Sequence, residues 1–305
     1  MNKKRLLEQL TFLETHWKFN DHIFKSRAYK KAIWVVNLAK TEDDIYESKM
    51  IGKSMKEKIK SFFENGYLED YEELRADKMF KAYHELGGIW GVGPKKVREL
   101  IQKNIYTIED IKNNLDEAKL NKNQMIGLKY IDELSKPIPR TDINKIKKNF
   151  QKLFSKKKIN MDILGSYRRK KKFSRDIDVI LWRDDNKIKN VIDDVANILE
   201  EYELIDILTK GKKKMSVIYR IDGKIRKFDF IVVSLIELPT SKLYFTGSAL
   251  FNVCMRLHAI SLGYKLSDKG LFKKNKRIKV KNEKDIFNKL NTKYIKPENR
   301  NNCLF

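Results

Sequence analysis

The sequence predicts an α+β protein, in which a helical N-terminal part precedes a part that combines the strands of a sheet with further helices. Three observations support this fold class. Apolar residues such as Leu6, Leu10 and Leu13 recur at three- and four-residue spacing in residues 1–75, which is typical of amphipathic helices. The alternate prolines in residues 136–140 predict the end of the helical part, because proline cannot continue a helix. Short apolar runs then predict the strands of the sheet, around residues 163, 177–181 and 227–233.

Two segments of the helical part have the pattern of a helix–hairpin–helix. Gly52 precedes a helix that Gly66 ends, and residues 91–94, Gly-Val-Gly-Pro, precede a second helix that carries Lys95. Glycines in a turn and proline at an early helical position fit this motif, whose backbone N–H groups can bind a phosphodiester. An ordinary corner of a helical bundle is the alternative, which two copies in one basic chain make less attractive.

Beyond the prolines the pattern alternates between helices and strands. The Asp222-Gly223 pair predicts a tight turn between two strands. Asn252 and Arg256 are spaced to lie on one side of a helix, and the chain after Pro297 is predicted to be loose. The predicted helices are residues 143–154, 191–201 and 285–290, and the predicted paired strands are residues 215–221 and 225–233.

Three aspartates suggest the chemistry of the protein. Asp176 and Asp178 should project from one face of a strand, because successive strand side chains alternate. Neighbouring carboxylates repel each other unless a cation or proton lies between them, and Mg²⁺ prefers oxygen ligands and usually adds substrate phosphates. Asp229 stands alone in an apolar strand, where an unpaired charge is costly. Two acids on a solvated strand edge are the alternative, but the three together predict two Mg²⁺ ions, with Mn²⁺ as a substitute, and nucleotidyl transfer.

A phosphate site is predicted directly before these acids. Gly165 and Ser166 form a turn between two predicted strands, and Arg169 follows closely. Backbone N–H groups, a hydroxyl and a guanidinium are the donors that bind phosphate in proteins.

The composition indicates a polyanionic partner. The 305 residues carry a formal net charge of +25, which favours nucleic acid first and an acidic membrane surface second. No apolar run approaches the roughly 18 residues that span a bilayer. Two cysteines, Cys254 and Cys303, suit a reducing compartment and exclude a cysteine zinc site.

These motifs together resemble the family X DNA polymerases, over nearly the whole chain from Phe24 to Arg300. The resemblance implies a nucleotidyltransferase-type palm, a mixed β-sheet flanked by helices, with helix–hairpin–helix units before it and a small nucleotide-selecting subdomain after it. The most specific matches are Gly165-Ser166-x-x-Arg169 with Asp176-x-Asp178, and Tyr244-Phe245-Thr246-Gly247-Ser248 with Asn252 and Arg256.

The resemblance also implies roles for individual residues. Asp176 and Asp178 would bind both Mg²⁺ ions, and Asp229 would bind the catalytic ion and receive the proton of the primer 3′-hydroxyl. Gly165 and Gly247 would form turns at the nucleotide, with a cis bond at Gly247-Ser248. Arg140, Ser166 and Arg169 would hold the triphosphate. Tyr244, Phe245 and Asn252 would contact the sugar and base, and Arg256 would contact the template strand. Duplex DNA would be bound by Gly91, Gly93 and Lys95, whose hairpin would also bind Na⁺ or K⁺.

The first 75 residues resemble the deoxyribose-phosphate lyase domain of the family less closely. Lys58 would be the Schiff-base nucleophile, with Lys25 and Tyr29 as DNA-binding residues at the 5′-phosphate and the leaving proton. Other lysines near Lys58 in the sequence would lower its pKa by repulsion. Ser54 stands where the family often has a basic residue, and Lys49-Met50 replaces a Pro-Gly, so a slow lyase is expected.

The sequence thus predicts a monomeric, intracellular repair polymerase that fills short gaps with dNTPs on gapped or nicked DNA. Its location in the cell would be the nucleus, or a cytoplasmic replication site if the source is viral. The alternatives are a template-independent terminal nucleotidyltransferase and a non-catalytic DNA-binding protein with a relic core. Four domains are expected: residues 1–75 (lyase-like), 76–136 (duplex-binding), 137–240 (catalytic palm) and 241–305 (nucleotide selection).

Overall fold

A computed structural model describes residues 2–300, and its fold is α+β, as predicted. The chain divides into two compact units, Met1–Ile131 and Asp132–Phe305. In the described residues the first unit contains helices and the second contains the sheets together with further helices. None of the described helices is both long enough and apolar enough to cross a membrane. Cys303 lies outside the described residues.

The helices of the first unit range from four to seventeen residues and follow one another closely. The last of them crosses the boundary between the units. They are α1 Lys3–Phe19, α2 Ile23–Leu38, α3 Asp43–Glu47, α4 Lys53–Asn65, α5 Glu69–Leu74, α6 Lys78–Leu86, α7 Pro94–Gln102, α8 Ile108–Asn113, α9 Leu115–Ala118, α10 Lys122–Lys129 and α11 Ile131–Ser135.

Both helix–hairpin–helix patterns were correctly predicted as helix boundaries. Gly52 is the N-cap of α4, and Gly66 ends that helix with φ +81°, a conformation that suits glycine. Pro94 is the first residue of α7, where its missing N–H costs no helical hydrogen bond. Gly91 has φ +85°, and its carbonyl accepts a hydrogen bond from the Gln124 side chain at 3.1 Å. The second hairpin is therefore tied to α10.

The second unit alternates strands and helices around a central sheet. Its elements are β1 Ile138–Pro139, α12 Arg140–Ser155, β2 Asn160–Ile163, α13 Gly165–Arg168, β3 Phe173–Ser174, β4 Ile177–Trp182, α14 Val191–Glu200, β5 Leu204–Lys210, β6 Lys214–Ile221, β7 Lys224–Val232, α15 Leu238–Thr246, α16 Ala249–Ser261, β8 Tyr264–Ser267, β9 Gly270–Lys273, β10 Lys276–Ile278, α17 Glu283–Lys289 and a 3₁₀ turn Pro297–Asn299.

The central sheet is mixed, with the strand order β2-β4-β7-β6-β5. Its middle pair, β4 and β7, is parallel, and the other pairs are antiparallel. The turn between β6 and β7 has positive φ at Asp222 and Gly223, which matches the predicted two-residue hairpin. A separate three-stranded sheet, β10-β9-β8, lies in the C-terminal part.

Helices α12 and α14 cover one face of the central sheet. Phe150 on α12 lies 5.2 Å, between ring centroids, from Phe228 on β7. Alternate residues of β4 join this core, because they point to the helix-covered face while Asp178 points away. The buried alternate residues of β4 are Ile177, Val179 and Leu181.

The end of the described chain differs from the prediction. Arg300 is fully buried, although the chain after Pro297 was predicted to be loose. Its guanidinium donates to Glu283 on α17 at 2.7 Å, an ion pair with no local sequence signal. Strands β5 and β8–β10 were not predicted either, since their residues do not alternate cleanly between buried and exposed.

We expect Gly127→Ala to destabilise the first unit. A Cβ at Gly127 in α10 would lie 2.2 Å from the backbone oxygen of Trp90, so α10 and the second hairpin must separate. Such overpacking costs about 1–3 kcal/mol of unfolding free energy. Urea unfolding followed by circular dichroism measures the loss.

Gly211→Ala is the control for this substitution, because its added Cβ would lie an ordinary 3.6 Å from the backbone oxygen of Lys214. Equal unfolding midpoints for the Gly127 and Gly211 variants would contradict a close approach at α10.

Candidate active site

Strand pairing brings two of the predicted acids side by side. Asp178 on β4 is directly opposite Asp229 on β7 in the parallel register. Asp176 lies in the bend immediately before β4 and is exposed, whereas Asp178 and Asp229 are half-buried. The three carboxylates therefore share one end of the sheet, away from the face that α12 and α14 cover.

The electrostatics of this cluster are unfavourable for three ionised acids. Burial, and after it the charges of Asp176 and Asp229, raise the pKa of Asp178 from 3.8 to about 6. Lys227 and Arg169 oppose the shift. A cation among the carboxylates would relieve this repulsion.

Asp229 is held by residues that the sequence analysis did not single out. Ser216 on β6 donates a hydrogen bond to one carboxylate oxygen, and Lys227 forms an ion pair with the other. Ser216 faces Asp229 across the β6–β7 pair. As they stand, no three His, Cys, Asp or Glu side chains among residues 2–300 converge closely enough to hold a metal ion. The donors nevertheless suit Mg²⁺, which binds through one or two carboxylates together with substrate phosphates.

The predicted Gly-Ser turn is a four-residue helix, α13, that begins next to the carboxylates. Gly165 has φ +55°, and a Cβ there would lie 2.8 Å from Asp178 Oδ2, so glycine is required on both counts. Ser166 donates a hydrogen bond to Ser174 at 2.7 Å. Arg140, at the start of α12, donates to the Tyr167 carbonyl at 2.5 Å and stacks on its ring, which holds that guanidinium beside α13.

Arg169 connects the carboxylates to the C-terminal part of the unit. Its Nη1 donates to the Thr246 carbonyl at 2.5 Å and lies 3.2 Å from the position of a Cβ on Gly247. Burial lowers the pKa of Arg169, and the charges of Asp178 and Asp176 oppose that shift. Its Nε is a buried donor that has no hydrogen-bond partner in the described residues. An anion such as a phosphate would satisfy this donor.

The predicted nucleotide pocket lies next to Arg169. The Gly247–Ser248 peptide bond is cis, as the resemblance implied. Tyr244 and Phe245 lie in the last turn of α15, with their rings nearly perpendicular and their centroids 5.1 Å apart. Asn252 on α16 donates to the Tyr244 carbonyl at 2.7 Å, and Arg256, one turn later, is exposed. Asn252, Arg256 and Tyr244 line one pocket.

A buried ion-pair network beneath this pocket was missed by the sequence analysis. Arg168 donates to Glu283 at 3.0 and 2.5 Å and to the Thr246 hydroxyl at 2.6 Å. Arg300 donates to the same carboxylate, and its carbonyl accepts from Ser248 N–H at 3.0 Å. The network joins α13 to the cis turn and to α17. The only sequence signal for this network was the pair of adjacent arginines. Arg169 faces the carboxylates, whereas Arg168 faces Glu283.

The predicted lyase residues meet in the first unit, but their charges differ from the prediction. Lys58 on α4 donates to both oxygens of Asp70 on α5, at 2.7 and 2.6 Å, and Tyr29 on α2 donates to Oδ2 of the same carboxylate at 2.5 Å. Lys53 and Lys60 instead pair with glutamates one turn along α4. The neighbour that binds Lys58 is thus an acid and not a cluster of lysines.

Tyr29 and Lys25 also differ from simple DNA-binding residues. Tyr29 is 4% exposed, and its hydroxyl donates a hydrogen bond to Asp70. Burial and the bond to Asp70 raise the pKa of Tyr29. Lys25 is exposed, with its Nζ 3.9 Å from the centre of the Trp17 ring. In the second hairpin Gly91, Gly93 and Lys95 are all exposed, as binding to a phosphodiester requires.

We expect Asp178→Asn to stabilise the protein at neutral pH in the absence of divalent ions. Because folding raises the pKa of Asp178 to about 6, its favourable contribution exists below pH 3.8 and is lost as the pH rises through about 6. Removing the ionisable group should therefore raise the unfolding free energy at pH 7.5, by up to about 3 kcal/mol, with little gain near pH 4. Urea unfolding at both pH values measures the difference.

Asp193→Asn is the matched control, since Asp193 lies on α14 with 60% of its side chain exposed. An equal gain at both pH values, or a loss at pH 7.5, would show that Asp178 is not strained by its neighbours.

Comparison with known proteins agrees with this geometry. A sequence model of the DNA polymerase beta palm matches residues 137–235, and one of the DNA polymerase beta thumb matches residues 241–301. A third, of the fingers domain of DNA polymerase lambda, matches residues 84–135. The three matches follow one another along the chain and include the carboxylates, the predicted nucleotide pocket and the second hairpin.

Three curated proteins are similar over most of the chain. DNA polymerase lambda of Arabidopsis thaliana is 27% identical over 91% of the chain and 58% of its own length. DNA polymerase lambda of Rattus norvegicus is 26% identical over 97% of the chain and 56% of its own length. DNA nucleotidylexotransferase of Xenopus laevis is 24% identical over 82% of the chain and 58% of its own length.

The chain therefore spans somewhat more than half the length of the curated relatives it matches. The paired acids on adjacent strands, the glycine turn before them and the cis turn after them lie within the matched palm and thumb. The chain belongs to family X of the DNA polymerases, together with polymerases beta and lambda.

Proposed function

We propose that the protein is a template-dependent DNA polymerase of the base-excision-repair type, which fills short gaps by nucleotidyl transfer from dNTPs. The observation that carries this proposal is the side-by-side placement of Asp178 and Asp229, with burial and charge repulsion raising the pKa of Asp178. Such a cluster suits divalent cations that arrive with a triphosphate. The net charge of +25 supports DNA as the second substrate.

The residues of the site divide the work between them. Asp176 and Asp178 would hold two Mg²⁺ ions, and Asp229 would hold one of them; the ions would supply charge stabilisation at the phosphates. The Asp229 carboxylate would break its ion pair with Lys227 and accept the proton of the primer 3′-hydroxyl. Arg169, with its unsatisfied buried Nε, would bind the triphosphate together with Ser166 and Arg140.

Selection of the nucleotide would fall to the C-terminal part of the unit. Tyr244 and Asn252 are held against each other by the hydrogen bond to the Tyr244 carbonyl, so the sugar and base would meet a preformed wall. Arg256 lies one turn further on the exposed side of α16, where it would contact the template strand. Arg169 reaches the same turn through Thr246, which couples phosphate binding to this wall.

A template-independent terminal transferase is the second candidate, favoured by the similarity to the DNA nucleotidylexotransferase. A single-nucleotide gap assay in which the template base is varied separates the two. Incorporation that follows the template base supports the polymerase, and equal incorporation of all four nucleotides supports the transferase. A non-catalytic DNA-binding protein would incorporate nothing in the presence of Mg²⁺.

We expect Asp229→Ala to abolish gap filling while DNA affinity stays within a few fold. Loss of a carboxylate at the metals removes several kcal/mol of charge stabilisation, a loss of about a thousandfold or more in rate. Asp193→Ala, on helix α14 that covers the other face of the sheet, is the control and should retain the gap-filling rate of the parent. Gap filling within tenfold of the parent would remove Asp229 from the mechanism.

We also propose a slow 5′-deoxyribose-phosphate lyase activity in the first unit, with Lys58 as the nucleophile. Lys58→Ala should lose the covalent adduct that borohydride traps on incised abasic DNA, because no other amine is bonded to Asp70 among the described hydrogen bonds. Lys53→Ala, which removes an exposed lysine of the same helix, is the control. An undiminished adduct in Lys58→Ala would move the nucleophile elsewhere.

A further inference from the structure

The cleft around Lys58 is acidic. It has a volume of about 270 Å³ and is lined by Glu57, Lys58, Ser61, Leu68, Glu69 and Asp70. That volume is close to the lower end of small-molecule sites, which begin at about 300 Å³. The Lys58 side chain is 38% exposed and the Asp70 side chain is 28% exposed, so a small ligand can reach both.

Asp70 is fixed more firmly than a surface carboxylate would be. Tyr29 from α2 and Lys58 from α4 both donate to it, so three helices meet at one carboxylate. Burial alone would raise the pKa of Asp70, but the hydrogen bonds from Lys58 and Tyr29 lower it overall. Glu57 and Glu69 are exposed and form no comparable contact with Lys58 among the described bonds.

We propose that Asp70 is the positioning residue of the lyase, which orients Lys58 and relays its proton when the amine condenses with the aldehyde of an abasic sugar. The proposal rests on the lyase activity proposed above and adds a residue to it. Because Asp70 contacts the nucleophile rather than the sugar, it acts through Lys58. Tyr29 in turn holds Asp70.

The condensation is balanced in protons and electrons. A carboxylate oxygen of Asp70 takes one proton from the Lys58 ammonium, and the freed lone pair forms the bond to the aldehyde carbon. Two protons then pass in turn from the nitrogen to the aldehyde oxygen, the proton on Asp70 returning to the nitrogen between them, and this oxygen leaves as water. The product is a protonated imine, which carries the same single positive charge as the ammonium that it replaces.

The ion pair with Asp70 is therefore present at the beginning and at the end of this step. A carboxylate within hydrogen-bond distance stabilises the iminium as it did the ammonium. The alternative role, a brake that keeps the amine protonated, predicts the opposite effect of removing the charge. The two roles can be separated by one substitution.

The test compares Asp70→Asn, Asp70→Glu and the parent in single-turnover borohydride trapping on incised abasic DNA. Asparagine keeps the shape of the side chain and an acceptor for Tyr29 but cannot take a proton. We expect the trapping rate to fall by at least about tenfold in Asp70→Asn and to recover in part in Asp70→Glu, as for loss of a proton acceptor. Glu69→Gln, a neighbour on the same cleft, is the control and should trap at the parent rate.

Gap filling, DNA affinity and thermal unfolding of each variant show whether a loss is only structural. A parent-like or faster trapping rate in Asp70→Asn would overturn the proposal, and a faster rate would identify Asp70 as a brake. A fall in thermal stability that parallels the fall in trapping, without recovery in Asp70→Glu, would also overturn it.

A second measurement keeps the role of Asp70 separate from the lyase activity. Reductive methylation with formaldehyde and cyanoborohydride, analysed by mass spectrometry, reports imine formation at each lysine without DNA. Slower methylation of Lys58 in Asp70→Asn than in the parent supports the relay. If the parent forms no adduct with DNA, the proposed lyase fails, and equal or faster methylation of Lys58 in the variant would then overturn the role of Asp70 as well.

Discussion

Repulsion among three carboxylates at one end of the central sheet shapes the second unit. The parallel pairing of β4 with β7 holds Asp178 opposite Asp229 whether or not their charges are compensated. Partial compensation comes from Lys227 and Arg169, which counter the rise of the Asp178 pKa. The pairing is maintained by the apolar core on the other face of the same strands, where burial of large aromatic and aliphatic side chains outweighs the local repulsion.

Two adjacent arginines, Arg168 and Arg169, connect this end of the sheet to the C-terminal part of the unit. Arg169 faces the carboxylates and reaches the carbonyl of Thr246, while Arg168 faces Glu283 and reaches the hydroxyl of the same threonine. Both contacts end on the residue before the cis turn at Gly247. Arg169 thus connects the carboxylates, through its charge, to the turn beside the predicted nucleotide pocket, through its hydrogen bond to Thr246.

The first unit uses charge in a different way. Its candidate nucleophile is paired with an acid in a cleft, in contrast to the like-charge crowding that would activate a lysine by repulsion. The partner acid is itself anchored by a buried tyrosine, so the geometry of the pair depends on the packing of α2, α4 and α5. A protein with a large positive net charge has thus placed an acidic cleft, with Glu57 and Glu69 at its rim, around this amine.

The sequence by itself determined the α+β class and the boundaries of the helices around Gly52 and Pro94, because helical and strand periodicities and turn residues act over a few positions. It also indicated the Gly-Ser turn and Asp178, which lie within one short segment. Tertiary structure alone decided the partners of charged side chains. Glu283 lies 115 residues from Arg168, and charged residues carry no periodic signal that would reveal which of many possible partners the folded chain brings within hydrogen-bond distance.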